Sequence, residues 1–337
     1  MHQAASVAGM RVETGAKSRA SVRTIELPDG AIVNIDVVMI RGMKPGPTLY
    51  VGAGMHGDEA TAVKIVAEVA GRLNPRHLSG TVLAVPVQNP LCFRDFHRLP
   101  LGQVIRSPLD QMPADMMVSF PGDPEGNPIK RMTHILFSEV MSKADCVIDI
   151  HTPTTGGRYA PMAFIPPSRI GKAAERAEQL AKVFGVSYIL KTEPDCYAAI
   201  YVNDKSPHVV MAARGIPGFG VELGEGGRLE GELVERGVEG VFNILGALKM
   251  AGGKPHTPRR HTIMTDMVPV RARIGGLLET LVKLEQKVSK GDALAQVISP
   301  YGEVIEVIEA PLNGVLIRKT TFPTVCTGER VAQIAVL

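Results

Sequence analysis

Short apolar runs and longer amphipathic stretches alternate from about residue 22 to residue 252. Residues 32–40, 48–53, 81–87, 146–150, 209–210 and 218–223 form the short runs, whereas 60–73, 129–143, 170–184 and 231–250 return an apolar residue every three or four positions. The first set predicts strands and the second predicts helices. Their alternation predicts an α/β fold, a mixed or largely parallel sheet covered by helices. The pattern then changes. Gly253-Lys-Pro-His-Thr-Pro-Arg-Arg260 is rich in turn formers and charge and reads as a linker. Beyond it, strand-length runs separated by Gly-Gly, Lys-Gly-Asp, Tyr-Gly-Glu and Leu-Asn-Gly predict an all-β unit. The expected organisation is a loosely held lead-in over 1–21, an α/β domain over 22–255 and a β domain over 256–337.

Composition narrows the functional classes. A chain of 337 residues is long enough for a full core and two domains. The balance of 37 basic against 34 acidic residues leaves no nucleic-acid footprint. No apolar run approaches the length that spans a bilayer, and Met1-His-Gln-Ala-Ala lacks the charged start and apolar core of a signal peptide. Cys92, Cys146, Cys196 and Cys326 are scattered, with neither a Cys-x-x-Cys nor a disulfide framework. Reduced cysteines of this kind suit a cytoplasmic protein. The expectation is an enzyme of the cytoplasm acting on a small molecule, with no nucleic-acid or membrane partner.

The chemistry concentrates where predicted strands end. In Gly52-Ala-Gly-Met-His-Gly-Asp-Glu59, His56 and Glu59 lie between the strand over 48–53 and the helix over 60–73. His151 closes the second strand-like run, in Asp149-Ile-His151-Thr-Pro. Two imidazoles and a carboxylate are what a catalytic zinc takes when its fourth position stays open for water, and the ends of strands are the usual place for a site in an open α/β sheet. Asp149 shares a strand face with His151, where it can accept from the imidazole and fix its tautomer. Glu222, in Gly218-Phe-Gly-Val-Glu-Leu-Gly-Glu225, sits in an apolar run where an unpaired carboxylate is costly. Beside water acidified by zinc it can serve as general base, with Glu225 the alternative. Arg94 and Arg98, in Asn89-Pro-Leu-Cys-Phe-Arg-Asp-Phe-His-Arg98, are candidates to stabilise negative charge on a reacting carbonyl oxygen.

Taken together, Gly52 to Glu59, Asn89-Pro90 with an arginine nine residues on, Asp149-Ile-His151-Thr and Pro217 to Gly224 resemble the succinylglutamate desuccinylase and aspartoacylase family, relatives of the zinc carboxypeptidases. The resemblance covers about residues 20 to 335. It implies a zinc-carboxypeptidase-like sheet flanked by helices, one zinc held by His56, Glu59 and His151, and Glu222 as general base. It also implies that Arg98 polarises the scissile carbonyl, leaving Asn89 and Arg94 as candidate substrate-binding residues. The implied reaction is removal of an acyl group from a small N-acylated amino compound, at an amide C–N bond or an ester. A carboxypeptidase acting on peptides and a non-catalytic ligand-binding member are the alternatives.

One departure matters. The family pattern places Asp-x-Asn-Arg just before Phe-Pro-Gly, and its Asn-Arg pair grips a substrate carboxylate. Here Asp115 and Ser119-Phe-Pro-Gly122 are present, but Met117-Val118 stand where Asn-Arg is expected. Neither side chain replaces a bidentate guanidinium. Arg106, Arg131 or Arg158 would have to supply that charge from elsewhere. The tail, through Val288-Ser-Lys-Gly-Asp and Glu309-Ala-Pro-Leu-Asn-Gly-Val315, resembles the barrel-sandwich fold of lipoyl and biotinyl carriers. It has Tyr301-Gly-Glu-Val304 where a carrier presents its lysine, so a swinging arm is not expected. It is expected to pack beside the mouth of the site, shaping access or mediating assembly into a homo-oligomer.

Overall fold

The computed structural model describes residues 6–100, 115–191, 196–200, 202–252 and 260–337. With only strands of four or more residues numbered, the first part of the chain carries β1 (Lys17–Glu26), β2 (Ile32–Arg41), β3 (Lys44–Gly52), β4 (Ser79–Val85), β5 (Cys146–His151), β6 (Gly157–Ile165), β7 (Tyr188–Lys191) and β8 (Gly218–Glu225). Helices α1 (Ala60–Arg72), α2 (Pro90–Asp95), α3 (Pro128–Glu139), α4 (Lys172–Phe184), α5 (Pro207–Ala212) and α6 (Gly231–Ala247) intervene. The strands form one mixed sheet in the order β1-β2-β4-β3-β5-β8-β6. Its centre, β4-β3-β5-β8, is parallel, β1, β2 and β6 run antiparallel to their neighbours in this order, and β7 pairs parallel with β6 off this path.

Burial on both faces explains why the central strands read as continuous apolar runs. Leu49, Val51, Ile148, Ile150, Phe219, Val221 and Leu223 face one core, against Ile65 and Val69 of α1, Leu180 of α4 and Val241 of α6. Side chains alternate along a strand, so Tyr50, Val147, Asp149, His151 and Glu222 face the other way. There Tyr50 and Val147 meet Ile129, Met132 and Leu136 of α3. The polar members of this second face gather at the carboxyl ends of the parallel strands.

The C-terminal region is antiparallel. It carries β9 (Asp266–Arg271), β10 (Gly276–Thr280), β11 (Ala293–Ile298), β12 (Val304–Glu309), β13 (Gly314–Thr320) and β14 (Arg330–Val336). Strands β10, β11 and β12 pair in a second sheet, while β9, β14 and β13 continue the main sheet, with Arg318 of β13 opposite Tyr159 of β6. Leu294, Val297, Ile308, Leu316 and Ile334 form its own core. A further apolar cluster joins Met162, Phe164 and Leu190 to Met267, Ile317 and Ala335.

Three local features depart from the sequence pattern. Val209–Val210 belongs to helix α5 and not to a strand, because Pro207 opens a helical turn there and so short an apolar run carries no period of its own. The helix expected over 129–143 ends at Glu139, and a separate 3-10 turn covers Met141–Lys143. Between Ser6 and Val22 the chain is packed: Val7 and Val12 are buried and Lys17–Glu26 is a full strand. The linker residues 253–259 lie outside the described residues. No helix among the described residues is long and apolar enough to cross a membrane.

Candidate metal centre

The turn between β3 and α1 presents His56 and Glu59, and the last residue of β5 presents His151. Gly57 allows this turn to pack closely, since a Cβ there would lie 1.8 Å from the Cys92 carbonyl oxygen. Its amide donates to the His97 carbonyl at 3.1 Å, which ties the segment carrying Arg98 to the same turn. Glu59 is wholly buried at the N-cap of α1, and its carboxylate faces both imidazoles instead of capping the helix. His56 Nδ1 is 2.6 Å from Glu59 Oε1, and His151 Nδ1 is 3.0 Å from Oε2. One ligand atom from each of the three residues lies within 4.8 Å of the others.

The outer nitrogens of both rings face carboxylates as well. His151 Nε2 is 2.8 Å from Asp149 Oδ2, and His56 Nε2 is 3.1 Å from Asp115 Oδ1. Each imidazole is therefore satisfied either by two protons, or by one proton on Nε2 and a cation at Nδ1. The donor set fits a divalent metal, because two Nδ1 lone pairs and an acceptor-only carboxylate converge from separate elements on one point. Protonation follows the same logic. Burial, and for His56 also Arg98, works to lower the histidine pKa values. The facing carboxylates win, raising His56 above its ordinary value and His151 well above it. Glu59 is held down at about 2 by the two histidines despite its burial.

Glu222 lies beside His151 in the register of β8 against β5. It lines a cavity with His56, His151, Arg98 and Asp115. Its Oε2 is buried with no hydrogen-bond partner. Burial first, then the charge of Glu59, pushes its pKa up to about 7, against the pull of His151, Arg98 and His56. A carboxyl group poised near neutrality can both accept and return a proton. Arg98 reaches the same cavity, with its Nη1 3.5 Å from Glu59 Oε1. The remaining wall is apolar, made by Met117, Val118, Met162, Phe164, Leu190 and Met267, with the phenol of Tyr159.

Other sequence candidates fall elsewhere. Asn89 is buried and caps α2, accepting from the Cys92 amide at 3.3 Å. Arg94 is exposed on α2 and does not line the cavity. Glu225 accepts from Thr321 at 2.8 Å and pairs with Arg158 at 3.6 Å. Arg158 also binds Glu230 at 2.7 Å, and Arg131 donates to the Gly126 carbonyl at 2.8 Å. Arg106 lies outside the described residues.

Three further residues shape the site without any sequence motif that points to them. In the sequence Asp115 is only the surviving residue of a broken motif, yet in the structure it holds His56. Asp58 accepts from the Thr155 amide and hydroxyl at 2.8 and 3.0 Å, locking the chain after His151 to the His56 turn. Gln88 donates to Asp149 at 2.7 Å. Only the position of Asp58 inside the metal motif could have drawn attention to it.

Comparison with known proteins agrees with this architecture. A model of the succinylglutamate desuccinylase/aspartoacylase catalytic domain matches residues 45–248. Over 317 residues the chain is 28% identical to an N-alpha-acetyl-L-2,4-diaminobutyric acid deacetylase of Halomonas elongata, covering 91% of this chain and 86% of that protein. The crystal structure of a succinylglutamate desuccinylase/aspartoacylase from Rhodobacter sphaeroides matches with a TM-score of 0.78 at 22% identity, over 96% of this chain and 98% of that one. Product-bound EutE, an ectoine utilization protein of Ruegeria pomeroyi, matches with a TM-score of 0.79 at 20% identity, over 97% and 98%. At these identities the two structures share the fold.

Proposed function

The chain belongs to the succinylglutamate desuccinylase/aspartoacylase family, and from that footing we propose that it is a zinc-dependent deacylase acting on a small N-acylated amino compound, whose amide C–N bond it hydrolyses. One observation carries the reading: three buried acceptor groups converge within 4.8 Å beside a carboxylate, Glu222, that has a buried unpartnered oxygen. His56, Glu59 and His151 hold one zinc per chain, a choice that follows from two imidazoles and one carboxylate in a site with an open side. Zinc bound there supplies Lewis acidity, making water more acidic and polarising the acyl carbonyl.

The chain's own groups do the rest. Asp149 and Asp115 hold the imidazoles by their Nε2 atoms. Glu222 takes a proton from the attacking water and returns it to the leaving nitrogen. Arg98 places its guanidinium beside the developing oxyanion, where charge stabilisation favours the transition state over the ground state. The Halomonas relative is named for removing an acetyl group from diaminobutyrate. An N-acetyl group on a neutral or basic amino compound is accordingly the proposed substrate class. Peptide trimming fits less well, since a carboxypeptidase needs a grip on the terminal carboxylate and Met117 and Val118 offer none.

A paired substrate panel tests the reading. Zinc-loaded protein should hydrolyse N-acyl amino compounds and leave the C-terminal residues of peptides in place. Peptide trimming without deacylation would establish the carboxypeptidase instead, and inactivity on both panels at full metal loading would favour a non-catalytic ligand binder. Elemental analysis should find close to one zinc per chain after purification without chelator. His151→Ala should lose most of it, and a variant retaining wild-type zinc would remove His151 from the ligand set.

A further inference from the structure

Behind His151 the hydrogen bonding does not stop at Asp149. Tyr50, Gln88 and Asp149 are each fully buried. The Tyr50 hydroxyl donates to Gln88 Oε1 at 2.9 Å, Gln88 Nε2 donates to Asp149 Oδ1 at 2.7 Å, and Asp149 Oδ2 meets His151 Nε2 at 2.8 Å. Each link has only one workable direction. A carboxylate accepts and never donates, so the nitrogen of Gln88 must face Asp149 and its oxygen must face the phenol. Burial, and then the charge of Asp149, raises the Tyr50 phenol well above its ordinary pKa, so it stays a donor.

The surrounding backbone is built around this line. The Gln88 amide donates to the Ala53 carbonyl at 2.9 Å and that of Asn89 to the Gly54 carbonyl at 2.9 Å, tying the segment to the turn that delivers His56. Gly52 stands opposite Asp149 in the pairing of β3 with β5. A Cβ at Gly52 would lie 2.7 Å from the Tyr50 ring, 2.8 Å from its hydroxyl and 2.9 Å from the Gln88 amide carbon. Only a residue without a side chain leaves the line intact.

We infer that Tyr50 and Gln88 are positioning residues of the metal centre, acting through Asp149 to fix the orientation and Nε2–H tautomer of His151 so that its Nδ1 is presented to the metal. With both oxygens of Asp149 engaged, its carboxylate cannot rotate away from the ring. Direct partners of metal-bound histidines, the place Asp149 occupies, typically contribute tenfold to a hundredfold in metal affinity, and Gln88 and Tyr50 act through that partner. A network that served the core alone would stabilise the fold and leave that affinity unchanged.

The inference rests on the metal-binding reading above, and zinc affinity, measured by competition with a chromophoric chelator, tests the two separately. Wild-type protein that takes up no zinc fails the earlier reading. Gln88→Met keeps the volume and removes the donor, and it is expected to weaken zinc binding by up to about tenfold, the lower end of the range for a direct partner of a ligand. Tyr50→Phe removes one oxygen and should weaken it in the same direction by less, because Gln88 still donates to Asp149 and loses only the phenol that fixes its orientation. The double variant should be no worse than Gln88→Met, since Tyr50 acts only through Gln88. Circular dichroism and the melting temperature of the metal-free proteins monitor the fold. Lowered melting with unchanged zinc affinity in Gln88→Met would overturn the inference, as would additive losses in the double variant. Should Gln88→Met fail to fold, unchanged affinity in Tyr50→Phe decides against it.

Discussion

Glu222→Gln is expected to keep its fold and its metal while losing turnover by about a hundredfold or more, the usual size of a general acid–base contribution. The amide is nearly the same shape as the carboxylate but cannot accept the proton of an attacking water. The site predicts the loss because Glu222 Oε2 is buried without a partner and its pKa is pushed up to about 7 by burial. As pH falls through that value the base takes up a proton, so kcat/KM should fall about tenfold per unit on the acid side and level off above it. Zinc beside the carboxylate draws this limb to 7 or below. The same shift makes metal-free wild-type protein lose stability as pH rises from 4.5 toward about 7, where the folded form still holds a proton that the unfolded chain has released. Both pH effects should vanish in Glu222→Gln. A variant that turned over substrate at nearly the wild-type rate would make Glu222 structural.

Much of this centre is legible in the sequence because its residues sit at strand ends inside short motifs. His56 and Glu59 are three residues apart on one turn, and Asp149 and His151 are two apart on one strand face, so local periodicity alone places each pair. The meeting of the two pairs is a consequence of the parallel pairing of β3 with β5, which an apolar run suggests but does not specify. Asp115 and Gln88 illustrate the limit. Each reaches its partner across 59 and 61 residues of chain, and neither stands in a spacing that distinguishes it from an ordinary polar residue. The edges of the fold were hidden for a different reason. Strand β1 alternates between exposed and covered positions, but Ser18, Ala20 and Thr24 give its covered side little hydrophobic contrast, and β6 is shared between the main sheet and the C-terminal strands. No local pattern announces either role.

Acidic acyl-amino acids should be poor substrates, by orders of magnitude in kcat/KM relative to neutral or basic N-acyl compounds. The expectation rests on Met117 and Val118, which line the cavity on the 3-10 turn Met116–Val118. Neither side chain donates a hydrogen bond. Where the family pattern has an Asn-Arg pair for a carboxylate, this wall would leave the charge desolvated and unpaired. A lost contact to a buried charge typically costs several kcal/mol. The described arginines do not compensate: Arg98 faces Glu59, Arg158 is held by Glu230 and Arg131 by the Gly126 carbonyl. The decisive comparison is hydrolysis of N-acetylaspartate and N-succinylglutamate against neutral and basic N-acetyl compounds at matched zinc loading. Efficient, saturable cleavage of either acidic substrate would refute the prediction and imply a basic residue arriving from another segment. Arg106, in the segment just before Asp115, would then be the first to replace, and Arg106→Ala should abolish the acidic activity while sparing the neutral one.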